Sequence, residues 1–217
     1  MANTSGNAYA LTLLCPIKHG VVTGSQEKVL VDQSHAANIR DVLQRLGVNE
    51  HSPMAKVPNT YLCRFYLLED VFYEGKPATY EHLKSQYLVF SSNFHGDRDT
   101  YLTGMWNAIE SDIRRIWVHC VGFDEVHDAA TFVHYIVRCQ VKTTFFFNGS
   151  TGEELAVQLK SLFLKQEFSE FAFANQGRPP AELQAAFREF VDRTKPAVTS
   201  GPTWRCGAAL LEDVVVP

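Results

Sequence analysis

The chain has 217 residues, of which 46% are hydrophobic and 20% charged, and a formal net charge of -4. That composition fits one domain with extensions or two small ones, gives enough apolar surface for a sizeable core, and excludes a disordered protein. A slight negative charge with scattered Lys and Arg gives no general attraction to nucleic acid or an anionic membrane, no apolar run approaches the ~20 residues of a membrane helix, and the N-terminus lacks the basic-then-apolar order of a signal peptide; a cytoplasmic protein without nucleic-acid or membrane partners is expected.

In chain order, Ala8 to Cys15 alternates around Leu11 and Leu13 and stops at Pro16, which predicts a first strand followed by the loop Ile17-Lys18-His19-Gly20. Val29 to Leu46 carries helical spacing through Ile39, Val42, Leu43 and Leu46, with Gly47 as its stop. A loop from Pro53 to Pro58 precedes a second strand, Tyr61 to Leu68. A third strand, Tyr87 to Phe94, follows the polar, Pro-containing segment Glu69 to Ser85. His95-Gly96-Asp97-Arg98-Asp99 is turn chemistry; Asp97 or Asp99 is expected to cap a helix whose apolar positions are Tyr101, Leu102, Met105, Trp106, Ile109 and Ile113. Ile116 to Val121 reads as a fourth strand.

The resulting order, βαββαβ, is that of an α+β ferredoxin-like fold: an antiparallel sheet with two helices on one face. This unit is expected to span residues 8–125. Residues 126–195 then form a helical extension or a degenerate second ferredoxin-like half: a helix from Asp128 to Cys139, a short strand from Lys142 to Phe147, a long helix from Thr151 to Phe173 and, after Gly177-Arg178-Pro179-Pro180, a last helix from Ala181 to Arg193. Residues 196–217 read as a loose C-terminal tail in which Leu210, Leu211 and Val214 to Val216 are a possible docking strand.

The two-residue period of a strand assigns side chains to faces. Helices cover the apolar face, so Cys63, Phe65, Leu67, Leu88, Phe90 and Phe94 go beneath them. The other face then collects Thr12, Arg64, Tyr66, Tyr87, Ser91, Asn93, Trp117 and His119. That set is aromatic with a few convergent polar groups, the composition of a small-molecule pocket. In this reading His119 is a general acid–base, Arg64 holds an anionic or enolate oxygen, Ser91 and Asn93 orient the substrate, and Tyr66, Tyr87 and Trp117 line the site. The competing reading is structural: a hydrogen-bonded core histidine, and an arginine and aromatics that serve a dimer interface.

Other chemistry is thinly marked. His95, Asp97 and Asp99 lie close enough in sequence to bind a metal or move protons, but turn and cap formation already account for the aspartates. Lys18-His19-Gly20 stands where it would meet an anionic group. The five cysteines, Cys15, Cys63, Cys120, Cys139 and Cys206, show no CxxC or Cys/His ligand spacing, so no metal site is expected. Phosphate-loop, G-x-S-x-G and H-E-x-x-H motifs do not occur.

Four phrases together carry a resemblance: Leu13-Leu14-Cys15-Pro16-Ile17-Lys18-His19-Gly20, Tyr61-Leu62-Cys63-Arg64-Phe65, Leu88-Val89-Phe90-Ser91-Ser92-Asn93-Phe94-His95-Gly96-Asp97 and Ile116-Trp117-Val118-His119-Cys120-Val121-Gly122-Phe123. They resemble a bacterial family of the dimeric α/β-barrel superfamily, which also contains antibiotic-biosynthesis-type monooxygenases, chlorite dismutases and dye-decolourising peroxidases. The resemblance implies a homodimer in which a second unit closes the open sheet face around a small apolar or aromatic molecule, or around haem. It implies an enzyme of oxidoreductase or isomerase/cyclase type, working by oxidation or rearrangement. The G-x-x-D-G motif of the peroxidases is only approximated by His95 to Asp99. His134, on a helix, is the one candidate for a haem ligand, so the cofactor is none or haem. The alternatives are a peroxidase-like haem protein and a non-catalytic dimeric binding module.

Overall fold

The computed structural model describes residues 3–22, 33–71, 75–77, 81–150 and 152–207. Its strands are β1 (Thr4–Ser5), β2 (Ala8–Pro16), β3 (Thr60–Leu68) and β4 (Tyr87–His95); its helices are α1 (His35–Gln44), α2 (Arg98–Trp117), α3 (Ala129–Cys139), α4 (Leu155–Ala174) and α5 (Pro180–Thr194). The strands form one antiparallel sheet in the order β1-β2-β4-β3. This is an α+β fold, and the three long strands fall where the alternation predicts them. The expected helix start at residues 29–32 and the docking strand around Leu210 lie outside the described residues.

The fourth strand is not formed. Residues 116 and 117 are the last turn of α2, and Val118 caps it. Ile116 and Trp117 extend the buried stripe Leu102, Met105, Trp106, Ile109 and Ile113 by three and four residues, so the helical period runs straight through the β-branched and aromatic run that mimics a strand. A break at Ile109, where φ is -140° and ψ 34°, bends the helix midway. Beyond the helix, Cys120 makes a single antiparallel bridge to Ile17, just past β2, and Val121 N donates to Pro16 O at 2.8 Å. Gly122, with φ +78°, takes the left-handed conformation that turns the chain away again. The place beside β2 that a fourth strand would fill is taken by β1 at one end and by the Leu13–Gln140 and Ile17–Cys120 bridges along the rest.

Helices α1, α2 and α3 cover one face of the sheet. Leu11, Leu13, Cys15, Leu88, Phe90 and Phe94 from the strands pack with Ile39, Met105, Ile113, Trp117, Phe132 and Ile136 in one core. Capping follows the sequence: Asp97 accepts from Thr100 N at 2.9 Å to open α2, and Asp128 forms a reciprocal capping box with Thr131 to open α3. Residues 142–147 are not a strand, and Phe145 and Phe147 stand exposed. The described residues of 126–195 form α3, α4 and α5 and contribute no strand.

Helices α4 and α5 pair through a cluster of Phe168, Phe171, Phe187 and Phe190. The buried ammonium of Lys160 donates to the carbonyls of Thr194 and Pro202, 2.6 Å each, tying the start of the C-terminal segment to α4.

Candidate functional site

The register settles which side chains share the face opposite the helices. Thr12, Ser91 and Arg64 stand in one cross-strand row, Ala10, Asn93 and Leu62 in the next, and Leu14, Val89 and Tyr66 in the row on the other side, with Tyr87 and Pro16 beyond. Arg64 is exposed, Leu62 is 62% and Tyr66 47% exposed, and Tyr87, Ser91 and Asn93 are half-buried. Six of the eight residues assigned to this face by alternation, Thr12, Arg64, Tyr66, Tyr87, Ser91 and Asn93, are therefore together on it.

Trp117 and His119 are not among them, because the strand expected to carry them is helix and turn. Trp117 is fully buried on the helix-covered side, edge-on to Phe65, Phe90 and Phe132. His119 is 7% exposed and meets His35, the first residue of α1. A site combining His119 with Arg64, Ser91 and Asn93 is thus not assembled.

What His119 does have is a histidine partner. The Nδ1 atoms of His35 and His119 lie 3.0 Å apart, with the rings edge to face at 5.2 Å between centroids. Beside them, Lys18 Nζ donates to Val118 O at 3.0 Å and to Asp124 Oδ1 at 2.8 Å, and the Lys18 backbone N donates to His119 O at 2.9 Å. The Lys18 ammonium thus sits on the C-cap carbonyl of α2, where the helix dipole favours a cation. Burial, then the neighbouring His35 and Lys18, lowers the His119 pKa to about 4. Burial and Lys18 lower that of His35 as well, against a small opposing pull from Asp124.

At neutral pH both rings are therefore uncharged, and a hydrogen bond between two neutral imidazoles requires one Nδ1–H to face the other ring's Nδ1 lone pair. The two rings hold opposite tautomers, and the pair presents one basic Nε2 and one acidic Nε2–H. A shallow depression of 170 Å³ lined by Arg114, Val118, Phe123, Asp124 and Val126 adjoins the Lys18 partners. A second, of 290 Å³, lies between α1 and β3 against Arg40, Leu43, Gln44, Tyr66 and Leu67.

The other expected groups serve local structure. Asp97 caps α2, Asp99 pairs with Arg98 at 2.7 Å, and His95 Nδ1 faces Tyr61 Oη and Gly152 O, so the His95 to Asp99 turn does not converge. His134 is exposed on α3 and lines neither depression, which does not fit a haem ligand inside a pocket. Among the described residues no group of three or more His, Cys, Asp or Glu side chains is arranged for a metal ion, and no described helix is long and apolar enough to cross a membrane.

Sequence reasoning missed His35. It lies 84 residues from His119, and nothing in the spacing or composition around it marks it.

No family model, curated protein or solved structure matches this chain. The reading of function accordingly rests on the geometry of the residues themselves.

Proposed function

We propose that the protein is an isomerase-type enzyme that rearranges a small, mostly apolar or aromatic carbonyl compound by proton transfer, and that the His35–His119 pair handles the proton. The observation that carries this reading is the 3.0 Å contact between the two Nδ1 atoms, one ring buried and the other half-buried. A proton accepted at the free Nε2 of one ring passes through the Nδ1–H···Nδ1 bond to the second ring, whose Nε2–H releases one in turn. Neither ring has to stay charged, which suits a site where burial and Lys18 disfavour imidazolium. Lys18, fixed on Val118 O and Asp124, supplies a positive charge toward which a developing enolate oxygen is drawn. Arg64, Ser91 and Asn93 belong to a different surface and take no part in this step.

Solvent-deuterium incorporation tests the proposal, with phenylpyruvate as an aromatic, enolisable probe. Wild type is expected to speed exchange at the carbon beside the carbonyl above the buffer rate, and His119→Gln and His35→Gln each to lower the enzymatic rate about 100-fold while circular dichroism is unchanged. Equal exchange in the wild type and both folded variants would overturn the acid–base role.

A second reading, in which the exposed sheet face mates with a second copy as a non-catalytic dimeric module, draws on the exposed Leu62 and Tyr66 flanking Arg64.

A further inference from the structure

Helices α4 and α5 form a hairpin that leaves most of its apolar surface uncovered. α4 has 20 residues and buries only Lys160, and α5 has 15 and buries only Phe190 and Thr194. Yet α4 carries leucine, valine, phenylalanine or alanine almost all round, and a helix of that kind is normally enclosed by protein. Most helical stability comes from tertiary packing, which the two helices give each other along one seam only.

The contacts along that seam fix where the surplus points. Lys160 meets Thr194, Glu167 meets Arg193 and Phe171 meets Phe187, so the helices run antiparallel. Beside the seam, Leu164 and Phe168 stand one turn apart on α4, and Leu183, Phe187 and Val191 form a stripe at four-residue spacing on α5. In an antiparallel pair these two stripes open on the same side, and the Phe168 and Phe187 rings accordingly rest on the same buried ring, that of Phe190. Phe168 is still 51% and Phe187 46% exposed; Leu183 and Val191 are exposed too, and Leu164 is half-buried.

Two helices with an apolar stripe shared between them are half of a four-helix core. The residues next in sequence to the stripes, Lys165, Arg188 and Asp192, are exposed and of both signs, so the surface does not repel a copy of itself and has no net pull on an anionic membrane. Its size also suits a dimer. A 15-residue helix is about 22 Å long and two helices side by side are about 20 Å wide. With interdigitating side chains that footprint approaches the roughly 800 Å² per partner of a stable interface, with about 300 Å² of exposed apolar side chain at its centre.

We infer that this side of the α4–α5 hairpin is the docking surface for a second copy of the chain, the two hairpins closing into a four-helix bundle about a two-fold axis. Each copy contributes Leu164, Phe168, Leu183, Phe187 and Val191 to the shared core. The contact uses none of the residues of the His35–His119 pair or of the Leu62–Arg64–Tyr66 sheet face, and it rests on neither reading of function.

Sedimentation equilibrium of the full chain over a concentration series tests it. The wild type is expected to return twice the mass of one chain, and so is Leu62→Glu. The double variant Leu183→Glu/Val191→Glu, altered outside the Phe cluster that holds the hairpin together, is expected to dissociate with Kd raised about 100-fold or more. A wild-type monomer at every concentration, a dimer that survives the double variant, or one that Leu62→Glu dissociates would each overturn the inference, the last by placing the second copy on the sheet face. Hydrogen exchange on the unsubstituted chain decides the matter even where the double variant fails to fold: amides of residues 155–194 are expected to gain protection as concentration rises, while those of residues 60–68 stay unchanged. Protection gained at 60–68 and not at 155–194 would equally overturn it.

Discussion

His119 shows how a residue's chemistry is set by what closes around it. A histidine on an open sheet face would titrate near its ordinary value, whereas this one is 7% exposed and lowered to about 4. The unfolded chain therefore binds a proton at His119 between pH 6.5 and 4 that the folded chain refuses, so stability falls as pH falls through that window and this residue adds no further loss below it. Asp97 and Asp128, whose cap hydrogen bonds lower their pKa values, act below that range. The expected outcome in denaturant unfolding is a loss of about 3 kcal/mol from His119 between pH 7 and pH 4, absent in His119→Gln, which keeps only the part due to the lowered His35. A profile of equal slope in that variant would assign the pH dependence to other groups. Arg64, by contrast, stands exposed on the other side of the sheet.

At the scale of elements, strands that are half covered were legible and the helix end was not. β2, β3 and β4 alternate between a buried and a less buried face, and that period placed Thr12, Arg64, Tyr66, Tyr87, Ser91 and Asn93 on one surface. Ile116 to Val121 alternates too, but it is six residues long, and over so short a run a buried helix end and a buried strand look the same. The tie is broken by contacts distant in sequence: Trp117 fits a slot between Phe65, Phe90 and Phe132, and it does so as the last turn of α2. With α2 extended, the chain returns to the end of β2 only at Cys120 and Val121, and His119 swings to α1. Caps were readable because they are local; Asp97 and Asp128 each act on a backbone N–H three residues away. The His35–His119 pairing joins elements far apart in the chain, and no local rule reports it.

For the molecule as a whole, the two faces of the sheet divide the account. The helix-covered side holds the core and the histidine pair, and the other side presents Leu62, Arg64 and Tyr66 to solvent. If a second copy covers that face, sedimentation equilibrium is expected to return twice the mass of one chain, and Leu62→Glu, which puts a charge into the contact, is expected to return the monomer; a wild-type monomer would leave the face without this partner. The histidine pair is the claim on which the functional reading turns. Long-range proton–nitrogen NMR on the ring nitrogens at pH 7 tests it most directly. Two neutral imidazoles in opposite tautomers are expected, His35 and His119 sharing one Nδ1 proton, with His119 unprotonated down to about pH 5. An imidazolium signal from His119 at pH 7, or both rings in the same tautomer, would contradict it.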